Sequence, residues 1–313
     1  MPQDSDNDQV VENPNGDLEN VASTYVTSAE IRSPETFSYP GIGQAIRLLL
    51  MLLGIQLLIS IPIVISGAIR HPLALVIPTI VGTAIVVSYG FKKAGALFQE
   101  IFPLSAISII LLLGLLLAVL GLFLLAGEIN SLLVWIFPPP ANFSQFMREM
   151  AGGGQSKWQS FLLTAIVAPL AEEFLFRGLI LHGFLKRYSV KKAIIGSAFL
   201  FALMHGNPWQ FVTALLLGIF LAWCRVKAHS LVPCIFAHFA NNAIGFALIL
   251  LQSKSLNVEA IAREVSVGQH LYVSAVGLLL AASGIYVMKR SFNLPHQNSL
   301  AGNIEAKVHD HAN

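Results

Sequence analysis

Charge is scarce in this chain: Asp, Glu, Lys and Arg make up 12% of its 313 residues, about half of the ~25% usual in soluble domains. Cysteine is scarcer still. Cys224 closes one apolar run and Cys234 lies inside the next, so neither a disulfide framework nor a cysteine metal centre can be built, and both read as buried apolar thiols. A net charge of +2 with no basic patch interleaved with aromatics excludes nucleic acid as a partner. Also missing is a positive segment followed by an early apolar core, the mark of a cleaved secretory signal; the first apolar run is then expected to act as an uncleaved anchor. In place of these features stand 55% hydrophobic residues and a mean hydropathy of +0.69. The chain reads as an all-α polytopic membrane protein, with lipid as its surroundings.

Residues 1–40 are the exception. They hold eight acids and one base, Arg32, with few large apolar residues before Phe37, and are expected to form a disordered acidic tail because little apolar surface is present to offset chain entropy. Runs long enough for ~30 Å of hydrocarbon need about 20 helical residues. They fall at Leu48–Ile69, Leu73–Gly90, Leu104–Gly127, Phe161–Gly183, Trp209–Cys224, Leu231–Leu251 and Leu271–Met288, with a shorter one at Ala193–His205 stopped by Gly206-Asn207-Pro208. Eight spans are predicted; the fifth, of about thirteen residues, is read as a crossing, with a half-span that enters and turns back as the alternative. Between the third and fourth, Pro138-Pro139-Pro140, Phe143–Met150 and Gly152-Gly153-Gly154 predict a short interfacial helix between two joints, read as an ordinary external loop with a substrate gate as the functional alternative.

Lys and Arg flanking the runs set the orientation. Thirteen of them collect on one side, Arg47, Lys92, Lys93, Lys186, Arg187, Lys191, Lys192, Arg225, Lys227, Lys289 and Arg290 among them, against five on the other, Arg70, Arg148, Lys157, Lys254 and Arg263. Both termini are predicted cytoplasmic, as eight crossings require.

The fourth run contains Glu172-Glu173-Phe174-Leu175-Phe176-Arg177. A charge at the centre of a membrane helix costs at least ~2.5–3.5 kcal/mol, so three in six residues need partners or a task. Glu173 and Arg177, four apart, share a face and can neutralise each other; Glu172, about 100° round the axis, is left free. The fifth run ends Phe201-Ala202-Leu203-Met204-His205 and the seventh holds His238-Phe239-Ala240-Asn241-Asn242. Counted from the nearest cytoplasmic Lys at 1.5 Å per residue, Glu172 lies roughly 21 Å deep, His205 roughly 20 Å and His238 roughly 16 Å. Three helices thus carry a carboxylate and two imidazoles to similar depth, with His238 and Asn242 on one face.

Such residues suit hydrolysis, with a carboxylate and an imidazole to activate water and donors to stabilise an oxyanion. Glu172, His205 and His238 equally supply the one-carboxylate, two-histidine set that catalytic zinc accepts. The cofactor therefore stays open between zinc and none.

In order along the chain, Glu172-Glu173 with Arg177, Phe201 with His205, and His238 with Asn242 match the EExxxR, FxxxH and HxxxN motifs. Over roughly residues 160–245 the chain resembles the CPBP family of membrane proteins, the CAAX proteases and bacteriocin-processing enzymes also called Abi. The resemblance implies an intramembrane endopeptidase acting on a peptide or membrane-protein substrate near its carboxyl end. It implies that Glu172 and His205 activate water, that His238 and Asn242 form the oxyanion hole, and that Glu173 and Arg177 are structural support. It further implies a catalytic core at 159–251, preceded by membrane helices and the loop at 41–158 and followed by the last helix and tail at 252–313, in a plasma membrane.

Structural alternatives stand beside these assignments. A polar network that glues helices contributes only ~0.6–2 kcal/mol per bond. His182 reads as a packed residue, His71 and His229 as interfacial, Trp209 as an interface anchor, Asn241 as a helix contact, and His309-Asp310-His311 as part of a solvated tail. A proton-coupled transporter would use the same residue types, but no inverted repeat or matched pair of Gly/Pro-broken helices accompanies them. An interaction or immunity protein with little catalysis is the third reading.

Overall fold

A computed structural model of the protein describes residues 39–68, 74, 76–140, 157–255 and 267–292. The acidic segment as far as residue 38, Arg70, His71, the expected interfacial helix Phe143–Met150 with Arg148 and Gly152-Gly153-Gly154, Arg263, Lys307 and His309-Asp310-His311 lie outside the described residues. Among the described residues every regular element is helical. In chain order these are α1 Ile42–Ile65, α2 Val76–Ala94, the single turn α3 Phe98–Ile101, α4 Ile109–Ile136, a long α5 over residues 157–187, α6 Val190–Met204, α7 Pro208–Ala228, α8 Val232–Ser255 and α9 Val267–Phe292.

Among the described residues, four helical stretches are long and apolar enough to cross a membrane by themselves: Ile42–Ile65, Ile109–Ile136, Pro208–Ala228 and Gly268–Phe292. The outward face of α1 shows why they suit lipid. Leu50, Leu53, Leu57 and Leu58 are all exposed, an arrangement that would be costly in water and is ordinary against hydrocarbon.

α4 runs nine residues beyond the end predicted at Gly127, through Glu128 to Ile136. The carboxylate does not end the helix because it is partnered: Glu128 Oε2 accepts from His270 Nδ1 at the start of α9. The three prolines then stop α4, and Trp209 ties the beginning of α7 to that end by donating Nε1–H to the Phe137 carbonyl at 2.6 Å and stacking on the Phe137 ring. The sharp corner between α6 and α7 uses the residues that stopped the fifth run. Gly206 adopts φ +60°, a region a side chain would strain; Asn207 caps α7 by accepting from the amide N–H of Trp209 at 3.0 Å; and Pro208 occupies the first turn, where its missing donor costs nothing.

α4 and α9 form the tightest pair. Gly114, Ala118 and Gly121 on one helix meet Gly277, Ala281 and Gly284 on the other, in antiparallel order. A Cβ built on Gly121 would lie 2.5 Å from the Gly277 carbonyl oxygen, and one on Gly284 would lie 2.6 Å from the Gly114 carbonyl oxygen. Backbones this close gain dispersion contact that water exclusion cannot supply inside a bilayer, which is why small residues line such seams. Elsewhere the core centres on α5. Its stretch Leu175–Phe184 is buried throughout and packs against residues of α1, α2 and α6.

Filling the seam is predicted to be costly. Gly121→Leu should lower stability by ~1–3 kcal/mol, the usual range for overpacking, seen as a fall in the thermal unfolding midpoint in detergent. Gly127→Leu, on the same helix with nothing within 4 Å of its Cβ position, should leave the midpoint unchanged.

Candidate active site

α5 is one helical rod with two π-helical turns, Leu162–Val167 and Phe174–Ile180, on either side of the α-helical piece Ala168–Glu173 that ends in the acid pair. A π turn adds a residue to the helical circuit, is rare, and is frequent at functional sites. The Ala168 N–H shows the displacement directly, bonding the Leu163 carbonyl five residues back instead of the carbonyl four back.

Glu173 and Arg177 are both buried, at 0% and 1% exposure. Arg177 Nη1 donates to Glu173 Oε1 at 2.8 Å. The same oxygen accepts from His238 Nδ1 at 2.7 Å. Glu173 Oε1 accepts from the guanidinium, and with Nδ1 of His238 donating to the same oxygen the neutral ring presents a lone pair at Nε2. Nε2 lies 3.8 Å from Glu172 Oε2. That gap is too long for a direct hydrogen bond, and a water bonded to both atoms would sit to one side of the line between them. Glu172 itself keeps a third of its side chain exposed.

Phe201 organises the remaining groups. The Arg177 guanidinium sits over its face, with Cζ 4.2 Å from the ring centroid, a cation–π contact strengthened by the exclusion of water. The rings of His205 and His238 meet it edge to face at 4.9 and 5.6 Å, and Phe176 does so at 5.3 Å. His205 closes α6 and hydrogen-bonds the Phe201 carbonyl through Nδ1 at 2.9 Å. A carbonyl only accepts, so this too leaves a lone pair on Nε2. Arg177 Nη2 reaches the Gly218 carbonyl of α7 at 3.4 Å, and a Cβ on Gly218 would crowd Ala198 and Phe201 at 3.1 and 3.2 Å.

Asn242 donates Nδ2–H to the Thr164 carbonyl at 2.9 Å and accepts at Oδ1 from Asn241 Nδ2 at 3.0 Å. Asn241, expected as a plain helix contact, bonds its neighbour's side chain instead. Thr164, Gly218 and Pro169 carry no sequence motif of their own. Only Pro169 left a signal, a missing donor inside an apolar helix.

The zinc set allowed by residue type was Glu172, His205 and His238. Among the described residues no three His, Cys, Asp or Glu side chains converge to hold a metal ion. As placed, Glu172, His205 and His238 do not come together as such a set. What the arrangement offers is a partly exposed carboxylate facing an oriented imidazole, with an amide close by along the same helix as that imidazole.

Residues 154–244 match the family model described as type II CAAX prenyl endopeptidase Rce1-like. No curated protein and no solved structure gives a match to the chain.

Breaking the buried pair is predicted to be severe. Arg177→Met leaves Glu173 as an uncompensated buried charge and should cost ~3–5 kcal/mol, read as loss of the folded population in detergent. The double variant Glu173→Gln with Arg177→Met, which removes both charges, should recover much of that loss.

Proposed function

We propose, from the match of residues 154–244 to the type II CAAX prenyl endopeptidase Rce1-like family model, that the chain is an intramembrane endopeptidase that cleaves near the carboxyl end of a membrane-anchored peptide or protein. Its eight helical runs all cross the bilayer, with both termini in the cytoplasm of a plasma membrane and the catalytic core at 159–251. The observation that carries this reading is the 3.8 Å separation of Glu172 Oε2 from an imidazole nitrogen whose opposite nitrogen is bonded to Glu173.

In the reaction, water held between Glu172 and His238 Nε2 attacks the scissile carbonyl carbon, and Glu172 takes its proton. The carbonyl oxygen becomes an oxyanion and accepts from the amide of Asn242. When the tetrahedral intermediate collapses and the C–N bond breaks, the proton held by Glu172 passes to the leaving amine. Water has two protons to donate, one to Glu172 and one to an imidazole, and His205 Nε2 is the acceptor that can take the place of His238 Nε2. This gives His238 a different task from the oxyanion donor implied by resemblance, because a proton committed to Glu173 leaves Nε2 an acceptor. Glu173 and Arg177 act by holding His238 in one orientation. The substrate class follows the family's description, a prenylated CAAX carboxyl terminus, whose lipid would share the hydrocarbon with the exposed faces of the helices.

Purified protein in detergent or vesicles, given a fluorogenic prenylated carboxyl-terminal peptide and its unprenylated twin, tests the proposal. Glu172→Gln should reduce turnover by at least ~10²-fold, the scale of general-base catalysis, while folding is retained. Chelation should leave turnover intact. Undiminished activity in Glu172→Gln would sink the assignment, and loss on chelation would restore the metal.

A further inference from the structure

The first π turn of α5 solves a bonding problem set by Pro169. In an α-helix the Thr164 carbonyl would accept from the N–H of residue 168; in a π-helix it would accept from residue 169. Here the Ala168 N–H is taken by Leu163, and Pro169 has no N–H to give. Both ordinary partners of this carbonyl are gone. An unpaired carbonyl within an apolar helix is costly, and the vacancy is filled from α8 by Asn242 Nδ2 at 2.9 Å.

The other end of the same side chain is held as well, since Asn242 Oδ1 accepts from Asn241 Nδ2 at 3.0 Å. An amide bonded only at one end can flip by half a turn at small cost and exchange its donor for its acceptor. With a carbonyl at its nitrogen and a donor at its oxygen, a flipped Asn242 would set oxygen against oxygen and N–H against N–H. Its orientation is fixed, and its second N–H keeps a constant direction.

We propose that Pro169 and Asn241 are positioning residues, which with the displaced carbonyl of Thr164 lock the Asn242 amide so that its free N–H faces the reacting carbonyl oxygen. The inference rests on the endopeptidase reading above and specifies how its oxyanion donor is preorganised, the condition under which such donors are effective. It also assigns the π turn a purpose: an extra residue in the helix places an orphaned carbonyl opposite the asparagine.

The test uses a property that a purely structural role would not share. Pro169→Ala returns an N–H to the helix, giving Thr164 an internal partner, and so should hold or raise the thermal midpoint while lowering kcat about tenfold or more, short of the ~10²–10³-fold loss from deleting an oxyanion donor. KM should change little. Asn241→Asp, nearly the same size but unable to donate to Asn242 Oδ1, should lower kcat in the same way with the protein folded. Both variants are run beside Glu172→Gln in the same peptide assay. If Glu172→Gln is as active as the native protein, the reading underneath fails and takes this inference with it. If Glu172→Gln is inactive but Pro169→Ala and Asn241→Asp keep native kcat, or lose activity only in proportion to lost folded protein, the inference alone is overturned.

Discussion

Glu173 Oε1 is the point at which this protein is tied together. One oxygen accepts from Arg177 on its own helix and from His238 on α8, and the guanidinium it neutralises lies over Phe201 of α6 and touches the backbone of α7. Four helices meet through a single buried ion pair. The constraint is electrostatic: neither charge can be left alone where water is excluded, so every neighbour is chosen to supply a donor, an acceptor or an aromatic face. The arrangement is not fully satisfied. Among the described residues, Glu173 Oε2 and Arg177 Nε are buried without hydrogen-bond partners, one residue along the helix from the carboxylate of Glu172 that stays partly open.

Much of this was legible in residue spacing. The four-residue step from Glu173 to Arg177 predicts a pair, and the pair forms. The apolar runs locate the helices because hydrocarbon demands length and uniformity. Where the sequence misled, it did so through local rules that a partner overrides. Glu128 looks like the end of α4 until His270, far along the chain, accepts its company. Asn241 looks incidental until its amide is seen on Asn242. The π turns have no periodic signature, since one inserted residue in a uniformly apolar stretch leaves the pattern unchanged. Pro169 hinted at an unpaired carbonyl, but only the structure shows which carbonyl it is and what fills it.

The two π turns also show how regularity is exchanged for reach. A regular helix satisfies its own backbone completely and has nothing to offer its neighbours. Interrupting it frees the Thr164 carbonyl to accept from Asn242, while the Phe176 carbonyl, in the second π turn, keeps the Leu181 N–H within the helix and accepts the Ser197 hydroxyl of α6 besides, at 3.2 Å. The acid pair sits between these outward bonds, and so is aligned by two other helices as well as by its own.

The glycine seam between α4 and α9 bears on the order of assembly. Its two halves lie more than 150 residues apart, so during synthesis α4 enters the membrane with a bare backbone groove that only the last helix can occupy. Closure of the seam thus waits on α9, however early α4 is in place.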